Sequence, residues 1–191
     1  MSIVTAAKKG NTICIAADTL SKHGSTKVRA EHKQNYTKLH KIGRSILGFT
    51  GWEAIERVLI HLVQTRKEFQ SLNSCEEIFD VLLRMHKVLR DEYFVNPQEK
   101  EDQPVESNQI SALVVNKDGL FEIDSYREVN QYHDFWASGS GQEFALGAMH
   151  ALYPKRNVTA RAIAEAGVRA ACEYDDGCDL PLECRTIRLK G

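Results

Sequence analysis

Three residues near the start of the chain could together perform nucleophilic chemistry: Ser2, Asp18 and Lys38. If Met1 is removed, Ser2 carries both a hydroxyl and an α-amino group. A serine hydroxyl needs a base before it can attack, and an α-amino group titrates near ~8, closer to neutral pH than a lysine at ~10.4. One residue would then supply both nucleophile and base. We expect Met1, the only residue before Ser2, to be trimmed because serine is small.

Such a site also needs a cation beside the hydroxyl, a carboxylate that holds the cation, and a backbone N–H for the oxyanion. Lys38 lies in YTKLHKI among apolar positions, where an unpaired lysine is unexpected, and Asp18 closes the apolar run TICIAAD. Gly51 and Ser140 each precede a predicted helix, where backbone N–H groups are available to a ligand. The sequence therefore predicts a site built from Ser2, Asp18, Lys38, Gly51 and Ser140.

Each of these residues also has an ordinary structural interpretation. Ser2 could be a solvated chain terminus, Lys38 an exposed strand lysine, and Asp18 a turn residue. The seven histidines invite a Ser-His-Asp triad, but the chain has no G-x-S-x-G motif. The segment GSGQ could cradle a phosphate, but the first βα unit of a dinucleotide-binding fold is not predicted.

Length and composition indicate one globular domain over residues 1–191. With 42% hydrophobic residues, 27% charged residues and a net charge of -1, neither disorder nor a basic surface for nucleic acid is expected. No stretch reaches the ~18 apolar residues of a membrane span. Two lysines interrupt the apolar segment at the start of the chain, which is not expected of a signal peptide. Five cysteines without a C-x-x-C pair fit a reducing cytoplasm. The wide spacing of Cys172, Cys178 and Cys184 does not favour a zinc site, so no metal is expected.

Hydrophobic periodicity predicts the elements that must position the site. Strands are predicted at 2–8, 12–17, 26–29, 36–42 and 45–50, as a hairpin within 109–125, as a strand pair within 128–137, and at 182–189. Helices are predicted at 52–69, 74–93, 141–152 and 159–174, and the charged segment 96–108 is predicted to be a surface loop. This order is not the βαβ alternation of a parallel sheet. We therefore predict an α+β fold of four layers, a sandwich of two antiparallel sheets flanked by helix pairs.

Five short segments in order, SIVT, IAAD, KLHKI, ILGFTG and GSG, resemble the proteasome β-type peptidases, a branch of the N-terminal nucleophile hydrolases. The chain is similar to bacterial HslV, and ADTLSKHGSTK and GFTGW are more similar still to the small bacterial proteasome homologues. The resemblance covers the whole chain. It implies an αββα sandwich, peptidase activity, and roles for the candidate residues.

By this resemblance, Ser2 is the mature N-terminal nucleophile. Asp18 and Lys38 are the buried pair that lowers the pKa values of the Ser2 amine and hydroxyl. Gly51 offers the oxyanion N–H, and Ser140 forms a hydrogen bond with the Ser2 amine.

A specificity role and two departures from the family pattern also follow from the resemblance. Phe49 is expected at the primary specificity pocket, where it would favour apolar side chains. The family usually has threonine where this chain has Ser2, and serine lacks the methyl group that fixes the rotamer, so a slower or more selective peptidase is expected. Near the C-terminal end the family has Asp and Ser before a glycine turn. This chain has CEYDDGCD, in which Glu173, Asp175 or Asp176 could serve.

The resemblance also implies partners. We expect stacked homo-oligomeric rings of twelve or fourteen copies that enclose the active sites, peptide or unfolded-protein substrates, and an ATP-dependent unfoldase; no organic cofactor is needed. The serine at the first position leaves open an alternative of another class, a catalytically inactive ring-forming scaffold or binding protein with the same fold.

Overall fold

The computed structural model describes residues 2–189, so Met1, and with it the expected trimming, lies outside the described residues. Its strands form two main antiparallel sheets and one small hairpin. The strands are β1 (Ile3–Lys9), β2 (Thr12–Asp18), β3 (Ser21–His23), β4 (Thr26–Val28), β5 (Leu39–Ile42), β6 (Ser45–Thr50), β7 (Ser111–Val115), β8 (Leu120–Ile123), β9 (Val129–Tyr132), β10 (Phe135–Gly139) and β11 (Leu182–Arg188). The helices are α1 (Glu53–Thr65), α2 (Cys75–Asp91), α3 (Gln142–Leu152) and α4 (Ala160–Tyr174), with 3₁₀ turns at Ala30–His32 and Lys67–Phe69.

The two sheets pack face to face. One has the order β10-β1-β2-β11 and the other β5-β6-β7-β8-β9. Strand β2 illustrates the packing, because its side chains alternate between two apolar layers: Ile13 and Ile15 face the other sheet, whereas Cys14 and Ala16 face the helices. Both faces are buried, which explains the nearly continuous apolar sequence of this strand.

Each outer face carries one helix pair. Helices α1 and α2 cover the five-stranded sheet, and α3 and α4 cover the four-stranded sheet. The side chains of Ser74 and Thr159 cap α2 and α4 by accepting from the backbone N–H groups of Glu77 at 3.2 Å and Ala162 at 3.1 Å. The predicted four-layer αββα sandwich is therefore confirmed.

Four sequence predictions need correction in detail. The strands at 128–137 do not pair, because β9 pairs with β8 whereas β10 pairs with β1 in the other sheet. The predicted helix at 52–69 ends at Thr65, and a 3₁₀ turn follows it. The Thr65 hydroxyl donates back to the carbonyls of the last helical turn. The strand predicted from residue 36 begins at Leu39. Strand β3 was not predicted, since its three polar residues show no apolar alternation.

Candidate active site

The buried amine of Lys38 joins two of the other predicted site residues. Lys38 Nζ donates to Ser2 Oγ at 2.9 Å and to Asp18 Oδ1 at 2.7 Å. Only 6% of Ser2, 2% of Lys38 and none of Asp18 is exposed. Because water screens charges little inside a protein, this ammonium is in position to stabilise negative charge on the serine oxygen.

Ser2 is positioned by the start of β1 and by a glycine in the neighbouring strand. Ile3, the next residue, pairs with Gly139 of β10. Gly139 has a φ of 117°, and a Cβ at this position would lie 2.1 Å from the carbonyl oxygen of Ser2. Only glycine permits both the positive φ and this close approach. The segment SGSG therefore fixes the backbone of Ser2.

Asp18, the last residue of β2, has a carboxylate that is surrounded by donors. In addition to the Lys38 ammonium, Oδ1 accepts from the backbone N–H of Ile3 at 3.0 Å, and Oδ2 accepts from the backbone N–H of Leu20 at 3.0 Å. Three donors satisfy this buried carboxylate without water. They fix its orientation and, through it, the position of the Lys38 ammonium.

The backbone of Lys38 is held by the C-terminal strand. Glu183 in β11 accepts from the Lys38 N–H at 2.6 Å through Oε1 and from the Thr37 hydroxyl at 2.6 Å through Oε2. The Lys38 carbonyl in turn accepts from the N–H of Phe49 at 3.3 Å. Glu183 was not identified from the sequence, because a contact between residues 145 positions apart leaves no local signal.

Ser140 links Ser2 to an acidic residue after α4. The backbone nitrogen of Ser2 donates to Ser140 Oγ at 3.3 Å, and Ser140 Oγ donates to Asp175 Oδ2 at 2.5 Å. Asp175 also accepts from the Gly177 N–H at 2.9 Å and from the Cys178 thiol at 3.3 Å. Burial acts to raise the pKa of Asp175, but these hydrogen bonds outweigh it and hold the pKa below its usual value.

Of the three acidic candidates near the C-terminal end, only Asp175 contacts Ser140 among the described residues. Glu173 is exposed, and Asp176 pairs with Lys22 Nζ at 2.8 Å.

Burial, together with the charges of Asp18 and Asp175, raises the pKa of the neighbouring Cys178 thiol. Cys178 therefore stays protonated at neutral pH and acts as a hydrogen-bond donor, not as a competing nucleophile.

Ser2 and Lys38 open onto a cleft of about 790 Å³. The β3–β4 hairpin forms one wall, and the end of β6 with the start of α1 forms the other. Gly51 lies on this second wall with a φ of 98°, and a side chain there would meet no atom within 4 Å but would be strained by the positive φ. Phe49 is 5% exposed, and its ring centroid lies 5.8 Å from that of His40. It gives the cleft an apolar surface close to Ser2.

The structure thus brings Ser2, Asp18, Lys38 and Ser140 into one hydrogen-bonded group, with Gly51 on the wall of the same cleft. The family model for the proteasome subunit matches residues 2–180. This chain belongs to the proteasome subunit family. The resemblance to the β-type N-terminal nucleophile hydrolases is therefore confirmed. Among curated proteins, no sequence matches this proteasome-family chain.

Solved structures of two proteins share the fold of this proteasome-family chain. BPH from Thiobacillus denitrificans in complex with epoxomicin is 33% identical with a TM-score of 0.92, and the match covers 99% of this chain and 100% of that chain. A second structure of Thiobacillus denitrificans BPH is 33% identical with a TM-score of 0.90, and the match covers 98% of both chains. HslV from Trypanosoma brucei is 22% identical with a TM-score of 0.72, covering 97% of this chain and 99% of that chain, and shows the fold alone.

Three further properties of this proteasome-family chain concern metals, membranes and cysteines. Within residues 2–189, no group of three or more histidine, cysteine, aspartate or glutamate side chains could hold a metal ion. No helix in this described range is long and apolar enough to cross a bilayer. All five cysteines are thiols.

Proposed function

We propose that this chain is an N-terminal-serine peptidase of the proteasome type. In this proposal the whole chain, residues 1–191, is one domain that forms one subunit. The observation that carries the proposal is the position of the buried Lys38 ammonium, which donates to both Ser2 Oγ and Asp18. A lysine that is 2% exposed and bonded to a serine at the edge of an open cleft is costly to maintain for structure alone. It is well suited to stabilising an attacking oxygen.

The first chemical step begins after Met1 has been removed. The α-amine of Ser2, held through Ser140, accepts the proton of Ser2 Oγ, directly or through one water. The oxygen then attacks the carbonyl carbon of a peptide bond, and a C–O bond forms. Lys38 stabilises the negative charge on the attacking oxygen. The carbonyl oxygen, on which negative charge develops, accepts a hydrogen bond from the N–H of Gly51, a type of donor whose removal costs ~10²–10³ in rate.

Collapse of this tetrahedral intermediate breaks the C–N bond. The proton held by the Ser2 amine passes to the leaving nitrogen, and the substrate's N-terminal part remains as an ester on Ser2 Oγ. A water molecule then gives a proton to the same amine and attacks the ester, which releases a carboxylic acid and restores the serine hydroxyl. Every proton is supplied by substrate, water or Ser2, so the reaction needs no cofactor.

The proposal extends to assembly and substrates. Subunits form stacked homo-oligomeric rings of twelve or fourteen copies, which restrict the active sites to peptides and unfolded proteins that enter the chamber. An ATP-dependent unfoldase would supply such proteins. Phe49 contributes an apolar surface for the substrate side chain next to the cleaved bond. A cytoplasmic location fits the reduced cysteines.

Intact mass followed by active-site labelling tests this function. We expect the mature protein to lack Met1, and an inhibitor of N-terminal nucleophile hydrolases to add its mass to the peptide that begins with Ser2. Epoxomicin is a suitable compound because it occupies the BPH structure. The Ser2→Ala variant should lose both the adduct and peptide hydrolysis. The Ser71→Ala variant is the control and should keep both the adduct and peptide hydrolysis. It changes an exposed serine that follows α1 in the sequence, whereas Ser2 precedes α1.

Three results would contradict the proposal of an N-terminal-serine peptidase. Retention of Met1 in the mature protein would block the α-amine and support the ring-forming scaffold instead. If the trimmed chain hydrolyses no peptide and no unfolded protein, that result would also support the ring-forming scaffold. Labelling that survives in Ser2→Ala would mean that another residue is the nucleophile.

A further inference from the structure

The most exposed large apolar side chain in the cleft is that of Trp52. It is 75% exposed, although tryptophan is on average one of the more buried residue types. The other tryptophan of the chain, Trp136, stacks on Tyr132 at a centroid distance of 4.2 Å and an interplanar angle of 11°. The exposure of Trp52 is therefore a local property of the cleft rim and calls for an explanation there.

The backbone of Trp52 is held at the start of α1. It follows Gly51 directly and is the N-cap residue of α1, where its carbonyl accepts from the N–H groups of Ile55 at 3.0 Å and Glu56 at 3.2 Å. Trp52 lines the same cleft as Ser2 and directly follows Gly51, the proposed oxyanion donor. Because an indole side chain has only two rotatable χ angles, it loses little conformational freedom when another group covers it.

We propose that Trp52 is a specificity-determining residue that binds a large apolar or aromatic side chain of the peptide substrate. The inference rests on the proposed peptidase function and adds a substrate preference to it. A peptide substrate is the expected occupant because Trp52 and Ser2 line one continuous cleft of about 790 Å³. Any peptide positioned for attack by Ser2 passes close to the ring. A flat, exposed indole gains most from covering by another aromatic ring or an aliphatic side chain.

The test compares Trp52→Ala with wild type on fluorogenic peptides that carry Phe, Leu, Gly or Lys at one position at a time near the cleaved bond. We expect kcat/KM for the best Phe- or Leu-containing peptide to fall about two- to tenfold, mainly through KM, which is the range of one aromatic contact. The Gly-containing peptide should lose little. Trp52→Phe should restore most of the preference. Phe94→Ala, which removes an 85% exposed ring outside the cleft lining, is the matched control and should leave all peptides unchanged.

A binding measurement keeps this inference separate from the proposed function. In the Ser2→Ala background, tryptophan fluorescence should shift to shorter wavelength when a Phe-containing peptide is added, and the shift should vanish in Trp52→Phe. An equal loss for all peptides, a preference for Lys, or an unchanged profile in Trp52→Ala would overturn the role of Trp52. A smaller native mass of Trp52→Ala would overturn it too, because the indole would then cover a contact between subunits. If wild type cleaves nothing but the fluorescence shift is present, the peptidase proposal fails while Trp52 remains a peptide-binding residue.

Discussion

Removing Lys38 should destabilise the protein less than removing its partner Asp18, although the two side chains form one ion pair. The reason is the asymmetry of their contacts. Asp18 accepts from the ammonium at 2.7 Å and also from the backbone N–H groups of Ile3 and Leu20, each at 3.0 Å. The Lys38 ammonium has Asp18 as its charged partner and Ser2 Oγ as a neutral one.

The contacts set the size of the difference. Breaking a buried ion pair by removing one partner costs about 3–5 kcal/mol. In Lys38→Met the remaining carboxylate keeps two backbone donors, so we expect a loss in the free energy of unfolding of about 3 kcal/mol, at the lower end of that range. Asp18→Ala leaves the ammonium without its carboxylate. It also leaves two buried N–H groups without an acceptor, and each unsatisfied N–H group costs about 1–3 kcal/mol. Asp18→Ala should therefore be worse than Lys38→Met by about 2 kcal/mol or more.

Urea unfolding followed by far-UV circular dichroism measures this difference, with all variants at one protomer concentration because assembly contributes to apparent stability. Lys41→Met is the matched control. Lys41 is an exposed lysine in β5, the strand that begins directly after Lys38, and its substitution should change the free energy of unfolding by no more than about 0.5 kcal/mol. A Lys38→Met variant that is as unstable as Asp18→Ala, or more so, would refute the reasoning that the backbone donors sustain the carboxylate.

Three other changes probe the surroundings of the site. The pKa of the Asp175 carboxyl is lowered in the folded protein, so its contribution to stability is complete above its usual pKa of ~3.9 and is lost as pH falls through the native value. Asp175→Asn should therefore lower Tm at neutral pH, and the difference in Tm between this variant and wild type should shrink in acid. Gly139→Ala should abolish labelling of Ser2, because the new Cβ would lie 2.1 Å from the Ser2 carbonyl oxygen. Gly147→Ala, in a helix with open space, should keep labelling and raise stability by up to about 1 kcal/mol. Glu183→Ala should reduce kcat about 10- to 100-fold by loosening the backbone of Lys38, and Glu183→Gln, which keeps one acceptor, should lose less, as steady-state peptide assays can measure.

The layers of the fold were predictable because they depend on short-range periodicity. Helix α2 shows its apolar stripe and cap within one segment, and β2 shows burial on both faces in six consecutive residues. The sheet to which a strand belongs is not encoded locally. Strands β9 and β10 are separated by two residues, yet they join different sheets, because β10 pairs with β1 at the far end of the sequence.

The same distinction applies to the site. Ser2, Asp18 and Ser140 could be placed because each begins or follows a predicted element, and Lys38 because it lies among apolar positions. The structure joins all four through hydrogen bonds. The choice of Asp175 over its acidic neighbours could not be made from the sequence. It depends on how the chain turns after α4, where side chains one residue apart point in different directions.

The energetic cost of the groups around Ser2 bears on whether the chain is a peptidase or an inactive scaffold. A buried lysine–aspartate pair is often no more stabilising than apolar side chains of similar volume. Here the pair coincides with two glycines in positive-φ conformations, Gly51 and Gly139, one on the cleft wall and the other against the backbone of Ser2. Conformations and charges that do not favour stability cluster where chemistry requires them. A ring-forming scaffold needs packed sheets and an outer surface, but it has no need for an ammonium 2.9 Å from a serine oxygen, and the peptidase explains this arrangement.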